Sequence, residues 1–255
     1  MSHLILVSND DGIEAEGLAC LTRSLQGLGE VVVVAPARNH SGASHSLTLG
    51  RPLKVRRTAP GWFAVEGTPA DCVNLGFFRL SGRPPDLVVS GINAGLNIGD
   101  DVAYSGTVAA ALEGALLGRP GMAVSMDRAS LGGDGWTAAG EVALLLARKI
   151  LERGLPEDTL LNVNVPSGEP RGIRWTRQGR RIPHRPPEMG AGTAAVAAIG
   201  EEEFWISDLP LDWKNDPLSD YCAVSEGFIS VTPLHLDLTH HRVLEELGGW
   251  QLSLE

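Results

Sequence analysis

The chain has 255 residues, 43% of them apolar and 20% charged, a composition that excludes intrinsic disorder and suits one large folded domain. Its 21 Lys and Arg against 31 Asp and Glu give a formal net charge of −10, which argues against a stable nucleic-acid partner because such binding depends on many basic side chains. No apolar run approaches the roughly 18 residues of a membrane span, no signal-peptide core precedes Asn9, and the three cysteines show no disulfide or zinc spacing, so we expect a cytoplasmic protein without a membrane partner.

The first part of the chain alternates apolar runs with helical patterns. Short runs rich in Leu, Ile and Val are typical of parallel strands buried on both faces, and they predict strands at 4–7, 31–34, 86–90 and 122–126. Apolar residues at helical spacing predict helices at 14–28, 69–80, 107–117 and 136–153. This alternation predicts a doubly wound, mostly parallel α/β sheet.

One interruption of the alternation is expected between the second and third strands. Two short segments predict the strands of a β-hairpin within residues 45–66, namely Ser46-Leu47-Thr48-Leu49 and Leu53-Lys54-Val55-Arg56. The hairpin is therefore an insertion into the α/β pattern.

The C-terminal part is less regular. After a strand predicted at 160–165, residues 171–200 contain six Arg and three Pro, which predicts either a solvated loop or an arm exchanged between subunits. A late strand at 227–232 and a helix at 240–247 are expected near the end of the sequence. We divide the chain into an α/β core, 1–165, and a C-terminal extension, 166–255, that completes the same domain and takes part in oligomerisation.

Two adjacent carboxylates, Asp10 and Asp11, follow the first strand, at the edge of the sheet where open α/β proteins bind ligands. The turn before Gly12 can bring both side chains to one point, and close carboxylates raise each other's pKa unless a cation neutralises them. Mg²⁺ or Mn²⁺ is the natural neutralising ion. An Asx-turn with a helix N-cap is the alternative explanation of this pair.

A glycine-rich segment, 90–101, follows the third strand and allows a close approach between backbone and ligand. The next motif, Tyr104-Ser105-Gly106-Thr107, precedes a helix, where backbone N–H groups and hydroxyls can hold an anion. Together they predict a phosphate cradle, although neither the G-x-G-x-x-G nor the P-loop pattern is present. A purely structural loop with helix capping is the alternative.

The loop after the second strand, 36–46, carries small and hydrogen-bonding side chains to the same edge of the sheet. Capping alone explains three such loops poorly, so we expect them to share one site. His40 and His45 lie in this loop, where each can act as a general acid or phosphate donor or can brace the loop. His240 and His241 diverge by about 100° on the predicted helix and form no metal pair.

Seven motifs carry a resemblance that extends from residue 8 to residue 234. They are Ser8-Asn9-Asp10-Asp11-Gly12; Ala35-Pro36 with Ser41-Gly42-Ala43-Ser44-His45-Ser46; Gly67-Thr68-Pro69-Ala70-Asp71-Cys72-Val73; Ser90-Gly91-Ile92-Asn93 with Gly95 and Asn97; Tyr104-Ser105-Gly106-Thr107-Val108; Leu161-Asn162-Val163-Asn164-Val165-Pro166; and Ser230-Val231-Thr232-Pro233-Leu234. In combination they resemble the SurE (survival protein E) 5′/3′-nucleotidase family. The resemblance implies a Rossmann-like core, a swapped C-terminal region in a homodimer or homotetramer, and metal-dependent removal of phosphate from nucleoside monophosphates.

The resemblance also implies roles for single residues. The ligands of one divalent ion per subunit, Mg²⁺ or Mn²⁺, carry over to Asp10, Asp11, Ser41 and Asn93. We expect Asp10, Asp11 and Asn9 to be catalytic, with Asn9 orienting the site. The residues expected to hold the phosphate are Asn97, Ser105, Gly106 and Thr107. No role carries over to His40.

Several interpretations compete with a 5′-nucleotidase. A haloacid-dehalogenase phosphatase needs Asp-x-Asp after its first strand, but the residues here are Asn9-Asp10-Asp11. A receiver domain needs an Asp at the carboxyl end of its third strand, whereas Asp86 stands at the beginning of that strand here. A non-catalytic nucleotide sensor with the same pocket is the main alternative, and a scaffold with three capped loops is another. Cleavage of 3′-monophosphates and of short polyphosphate is left open.

Overall fold

The structure is a computed structural model that describes residues 2–131, 135–182, 188–189, 204–205 and 212–250. Its strands are β1 (His3–Ser8), β2 (Gly29–Pro36), β3 (Val55–Ala59), β4 (Trp62–Val65), β5 (Leu87–Ala94), β6 (Gly121–Met126), β7 (Thr159–Val165), β8 (Ile173–Trp175), β9 (Glu188–Met189), β10 (Phe204–Trp205) and β11 (Ile229–His235). Its α-helices are α1 (Glu16–Leu25), α2 (Pro69–Leu75), α3 (Gly106–Leu116), α4 (Gly135–Arg153), α5 (Asp220–Ser225) and α6 (His241–Leu247).

Nine strands form one sheet in the order β3-β4-β2-β1-β5-β6-β7-β11-β8. The six central strands from β4 to β7 are parallel, β3 is antiparallel to β4, and β11 is antiparallel to β7. A separate two-stranded ladder joins β9 to β10. The predicted mostly parallel α/β sheet is thus confirmed.

Both faces of the sheet are covered, as the continuous apolar strands predict. On β1, Ile5 and Val7 belong to the apolar cluster that includes α1 and α4, whereas Leu4 and Leu6 belong to the cluster that includes α2. All four side chains are fully buried. Alternate residues of a strand point to opposite faces, so the strand anchors helices on both sides and its carboxyl end is held in place.

The inserted hairpin exists, but its predicted strands are wrong. The two strands are β3 and β4, joined by a turn at Pro60 and Gly61, and β4 also extends the parallel sheet beside β2. Residues 46–49 form no strand: the side chains of Asp71 and Thr68 bond to the backbone of Thr48 and Ser46. Leu49 is 84% exposed, so this segment lacks a buried face.

The strand predicted at 86–90 continues four residues further than expected. β5 runs to Ala94 and keeps its pairing with β6 past the glycine, with a register shift between Gly91 and Asn93. Asn93 therefore lies within β5, next to its last residue, rather than in the segment that follows the strand. Asp86 lies at the opposite, amino edge, where its carboxylate accepts the Leu4 N–H, and this position excludes the receiver-domain interpretation.

The C-terminal extension joins the same sheet. β8 pairs with β11, and the segment after it pairs with residues 212–219, through Arg177 N–H to Leu218 O and Lys214 N–H to Arg180 O. The described part of 171–182 is thus packed against its own chain. The exchanged arm predicted within 171–200 falls largely outside the described residues and stays a prediction, as does the division at residue 165. Within the described residues, no helix combines the length and apolar character that crossing a membrane requires.

Candidate active site

A cleft of about 490 Å³ opens at the carboxyl edge of the parallel strands. It is lined by residues of the loops after β1, β2, β5 and β6 and by one residue of the C-terminal extension: Asp10, Asp11, Ser41, Gly42, Asn93, Gly95, Leu96, Asn97, Asp101, Tyr104, Ser105, Asp127, Arg128 and Arg181. Six of the predicted site residues line this cleft. The three loops expected to meet at one edge of the sheet do meet there.

The turn after β1 sets the two carboxylates. Asn9 is fully buried, and its side chain both donates to Gly12 O (2.9 Å) and accepts from Gly12 N–H (3.2 Å). Gly12 has φ +107°, which a side chain would strain, and a Cβ there would come within 3.1 Å of the Arg38 backbone. Asn9 therefore shapes the turn from behind the cleft wall and does not line the cleft.

Two residues at the start of α3 hold Asp10 in position. The Thr107 hydroxyl, fully buried, donates to Asp10 Oδ1 at 2.5 Å. A Cβ on Gly106 would lie 2.7 Å from Asp10 Cβ, so only glycine admits the aspartate there. Neither residue lines the cleft, and this geometry gives the Thr107 hydroxyl and the missing side chain of Gly106 a positioning role toward Asp10. The phosphate contact expected of these two residues stays a prediction, for which their backbone N–H groups at the start of α3 are the candidates.

The electrostatics of the pair suit a bound cation. Burial raises the pKa of Asp10, and the charge of Asp11 raises it further, against the lowering effect of the Thr107 hydrogen bond. Burial also raises the pKa of Asp11. The hydrogen bond to the Ala94 backbone and the charge of Arg128 lower this pKa but do not cancel the effect of burial. The ionised forms of both carboxylates are therefore disfavoured in the absence of a cation. A divalent ion bound between them would supply the opposite charge and stabilise these ionised forms.

Two neutral oxygens complete the predicted ligand set. Asn93 donates its amide nitrogen to Gly95 O (2.7 Å), which orients the amide and leaves the oxygen Oδ1 for a cation. Ser41 is exposed and its hydroxyl donates to Asn39 Oδ1 (2.7 Å), so its oxygen keeps lone pairs to offer. No cluster of three or more His, Cys, Asp or Glu that could hold a metal ion occurs among the described residues. The oxygens of Asp10, Asp11, Ser41 and Asn93 are of the hard type that Mg²⁺ and Mn²⁺ prefer.

The Asn97 backbone is fixed from β7. Asn162 and Asn164, two residues apart on the same strand face, both donate to Asn97 O (2.8 and 3.0 Å), and Asn164 Oδ1 accepts the Asn97 N–H (2.8 Å). The Asn97 side chain donates one N–H to Ser125 Oγ (2.8 Å), which leaves the other for a ligand. This explains the Leu161-Asn162-Val163-Asn164 motif, for which the sequence alone suggested no role.

Ser105 closes the cradle. It is the N-cap of α3, and its hydroxyl accepts the Val108 N–H at 3.1 Å. Ser105 is 6% exposed and lines the cleft, so its hydroxyl is free to donate to a ligand there, and the start of α3 lies beside Asp10. The start of a helix carries partial positive charge, which favours a phosphate there.

Three cleft residues lie outside the segments that the sequence predicted for the site: Asp127, Arg128 and Arg181. Asp127 and Arg128 follow β6, the next parallel strand, so the rule that located the other loops would have found them. Arg128 is held by Nε–H to Ala94 O (2.7 Å). Arg181 forms an ion pair with Asp101 and lies over the Trp213 ring; it comes from a distant segment, and no sequence signal placed it.

The histidines in the described part of the chain lie outside the cleft. His45 Nε2 lies 2.7 Å from Glu113 Oε2 on α3, and Asn74 of α2 donates to Glu113 Oε1 (3.2 Å). His45 therefore braces the loop that carries Ser41. His40 lines a neighbouring pocket with Arg38 and Arg51, and its role stays open. His240 caps α6 and His241 pairs with Asp237.

The contacts of Glu113 with His45 and Asn74 make the free energy of unfolding depend on pH in the acid range. Burial raises the pKa of Glu113, but the hydrogen bonds from His45 and Asn74 outweigh it and set the pKa below its ordinary value of 4.5. A lowered carboxyl pKa stabilises the fold above the unfolded pKa, and that contribution is lost as pH falls through the folded value. We expect Glu113→Gln to cost about 1–2 kcal/mol at neutral pH and much less well below pH 4.5, measured by urea unfolding at both. Glu141→Gln, at an exposed position of α4, is the control; an equal cost of Glu113→Gln at both pH values would contradict the prediction.

Comparisons with known proteins agree on one family. A family model described as survival protein SurE matches residues 5–185. The chain is 50% identical over 253 residues to a 5′-nucleotidase SurE of Syntrophotalea carbinolica, with 98% of each chain covered. It is 47% identical over 253 residues to a 5′-nucleotidase SurE of Geobacter sulfurreducens, with 98% of this chain and 94% of that one covered. The crystal structure of a SurE protein from Aquifex aeolicus matches with a TM-score of 0.81 and 41% identity, over 96% of this chain and 98% of that one.

Proposed function

The chain belongs to the survival protein SurE family, and from that premise we propose that it is a 5′-nucleotidase that hydrolyses nucleoside monophosphates to nucleoside and phosphate. The observation that carries the proposal is the meeting of a buried and a partly buried carboxylate, neutral side-chain oxygens and a helix N-terminus in one cleft. The names of the relatives favour the enzyme over the non-catalytic sensor.

The donor set fits one hard divalent ion, Mg²⁺ or Mn²⁺, per subunit. Asp10, Asp11, Ser41 and Asn93 would hold it, since all four line the same cleft and all offer oxygen. When bound, such an ion polarises the phosphoryl group and lowers the pKa of a bound water. Asp10 and Asp11 together supply two negative charges, which match the charge of the ion.

The chain's own residues bind and orient the phosphate. The Ser105 hydroxyl, the second amide N–H of Asn97 and the N-terminal N–H groups of α3 donate to its oxygens. The guanidinium groups of Arg128 and Arg181 offset part of the charge of the four aspartates of the cleft, and a bound divalent ion would offset the rest, which favours an anionic ligand. Behind the wall, Thr107 holds Asp10 and Asn9 holds the turn, so that the carboxylates keep their position while charge develops on the phosphoryl group.

The wider setting of the enzyme is part of the same proposal. We propose a homodimer or homotetramer in the cytoplasm, with a nucleoside monophosphate as the small-molecule partner and neither a nucleic acid nor a membrane as a stable partner. The exposed apolar side chains of α6 and its surroundings, Leu244, Leu247 and Trp250, suit a subunit contact.

The experiment is phosphate release from 5′- and 3′-nucleoside monophosphates and short polyphosphate, with Mg²⁺, with Mn²⁺ and with a chelator. We expect release from the 5′-monophosphates that the chelator abolishes and that either metal restores. Binding of a nucleotide without any release, by a folded and metal-loaded protein, would support the sensor instead.

A change at Asn93 tests the metal ligands separately from folding. Asn93→Ala removes one neutral ligand while both carboxylates stay, so we expect the Mn²⁺ concentration for half-maximal activity to rise about tenfold or more. The measurement is a metal titration of activity, together with calorimetry of Mn²⁺ binding without substrate. Asn215→Ala, at an exposed position outside the cleft, is the matched control. An unchanged titration in Asn93→Ala would remove Asn93 from the ligand set.

A further inference from the structure

The phosphate machinery described above would accept any phosphate monoester, so a separate feature must select a nucleoside. Among the described cleft residues, Tyr104 is the one aromatic side chain, and it is 66% exposed. A large aromatic ring that stays in water at the mouth of a polar cleft has apolar surface available for a planar ligand.

The position of Tyr104 relative to the phosphate cradle is fixed by covalent geometry. It directly precedes Ser105, so the two Cα atoms are about 3.8 Å apart. In a nucleoside monophosphate the sugar separates the base from the phosphate. A phosphate on the Ser105 hydroxyl and the α3 N-terminus thus leaves the base within reach of the neighbouring ring.

The backbone of Tyr104 is held from both sides. Its N–H donates to Asp101 O (3.0 Å) in the 3₁₀ turn after the glycine-rich loop, and its carbonyl accepts the Ser44 N–H (3.2 Å) from the loop after β2. Both loops also carry predicted metal or phosphate contacts. The ring is therefore presented by a fixed backbone, and a base stacking on it meets a platform with few rotatable bonds to order.

We propose that Tyr104 is the nucleobase platform of the cleft, on which the base of a nucleoside monophosphate stacks, more strongly for purines than for pyrimidines. This inference rests on the proposed nucleotidase function and adds the residue that distinguishes nucleotides from simple sugar phosphates. Base stacking on an aromatic side chain tolerates every base because each has a π face, and the larger purine covers more of the ring.

The test is the selectivity ratio, defined as kcat/KM for a 5′-nucleoside monophosphate divided by kcat/KM for ribose 5-phosphate. In Tyr104→Ala we expect the ratio to fall about tenfold for adenosine and guanosine monophosphates and less for cytidine and uridine monophosphates, through KM rather than kcat. Tyr104→Phe and Tyr104→Trp keep a ring and should restore the ratio. Phe78→Ala removes another exposed ring, 58% exposed and outside the cleft, and is the matched control.

Two outcomes would overturn the proposal, and both differ from failure of the nucleotidase function. A ratio in Tyr104→Ala equal to that of the wild type, with activity present, means that the base does not stack there. A ratio that Tyr104→Phe fails to restore means that the hydroxyl and not the ring matters. If the wild type releases phosphate from neither substrate, the nucleotidase function fails. Calorimetry of adenosine monophosphate binding with Mn²⁺ then tests the platform, and equal affinities of wild type and Tyr104→Ala would reject it.

Discussion

Asp10→Asn is expected to reduce phosphate release at least about 10³-fold, the largest loss from any single change in the cleft. The substitution is nearly isosteric, and its amide oxygen can still accept the Thr107 hydroxyl, so the turn should keep its shape. What disappears is one of the two charges that would hold the ion, at a carboxylate that is only 4% exposed.

The same substitution should leave the fold as stable or more stable when metal is absent. Burial raises the pKa of Asp10, which means that its ionised form costs stability at neutral pH, and asparagine removes that cost. In the wild type, Mn²⁺ should raise the melting temperature by mass action, and this shift should vanish in Asp10→Asn. A variant that is at least as stable as the wild type without metal, but that Mn²⁺ no longer stabilises, has lost metal binding and not folding.

Asp127→Asn is the matched control for Asp10→Asn. Asp127 also lines the cleft, but its carboxylate caps the turn after β6 by accepting the Ala129 N–H (3.0 Å), a role that asparagine performs equally well. Activity of Asp10→Asn within tenfold of the wild type, under conditions where the metal shift is lost, would refute the role given to Asp10.

Asp220→Ala is expected to have the largest effect on stability, about 3–5 kcal/mol in the free energy of unfolding. The carboxylate is fully buried and accepts three backbone N–H groups, from Gly99 (2.8 Å), Gly179 (2.9 Å) and Tyr221 (2.8 Å). These donors belong to three segments: the glycine-rich loop after β5, the segment after β8, and the start of α5. Removing the acceptor leaves the buried N–H groups of Gly99 and Gly179, and the part-buried N–H of Tyr221, without their partner.

Urea unfolding of Asp220→Ala, Asp220→Asn and the wild type measures this effect. Asparagine keeps one acceptor oxygen, so we expect it to cost roughly half as much as alanine. Glu152→Ala breaks an exposed pair with Lys149 and should change the unfolding free energy by less than about 0.5 kcal/mol. A loss in Asp220→Ala no larger than in this control would show that the three segments do not depend on Asp220.

Loss of Asp220 should also disturb the residues that line the cleft. The Gly99 loop is continuous with Asp101 and Tyr104, and the segment at Gly179 leads to Arg181, whose backbone N–H bonds to Asp100 Oδ2 (2.8 Å). Asp220 thereby ties the extension to the loop that builds the cleft. The extension, divided from the core in the sequence-based prediction, supplies a cleft residue.

The amino-acid sequence was sufficient for the parts of the fold that depend on local patterns. Continuous Leu, Ile and Val runs predicted the parallel strands because both faces of the sheet are covered. The polar residues that directly follow these strands lie at one edge of the sheet because the strands are parallel. Asp10, Asp11, Ser41 and Asn93 all line the cleft as this rule requires. Their roles as ligands stay predictions, and they rest on the chemistry of their oxygens.

Local patterns predicted the wrong strand where side chains, and not a neighbouring strand, form hydrogen bonds with the backbone. Residues 46–49 alternate like a strand, yet Asp71 and Thr68 take the backbone groups that a strand would need. The true hairpin strands flank Pro60 and Gly61, a turn signal that was present but unused.

The tertiary structure alone decided which distant residues meet. The Thr107 hydroxyl, which the sequence assigned to the phosphate, donates to Asp10 in the loop after β1, and its phosphate contact stays a prediction. Asn162 and Asn164 on β7 reach Asn97 across β6, which separates β7 from β5 in the sheet. Arg181 lines the cleft where the extension packs on the loop after β5, through bonds that include Asp220 to Gly99 and Arg181 to Asp100. Strand order and long-range docking depend on the balance of the whole core, so no window of neighbouring residues could reveal them.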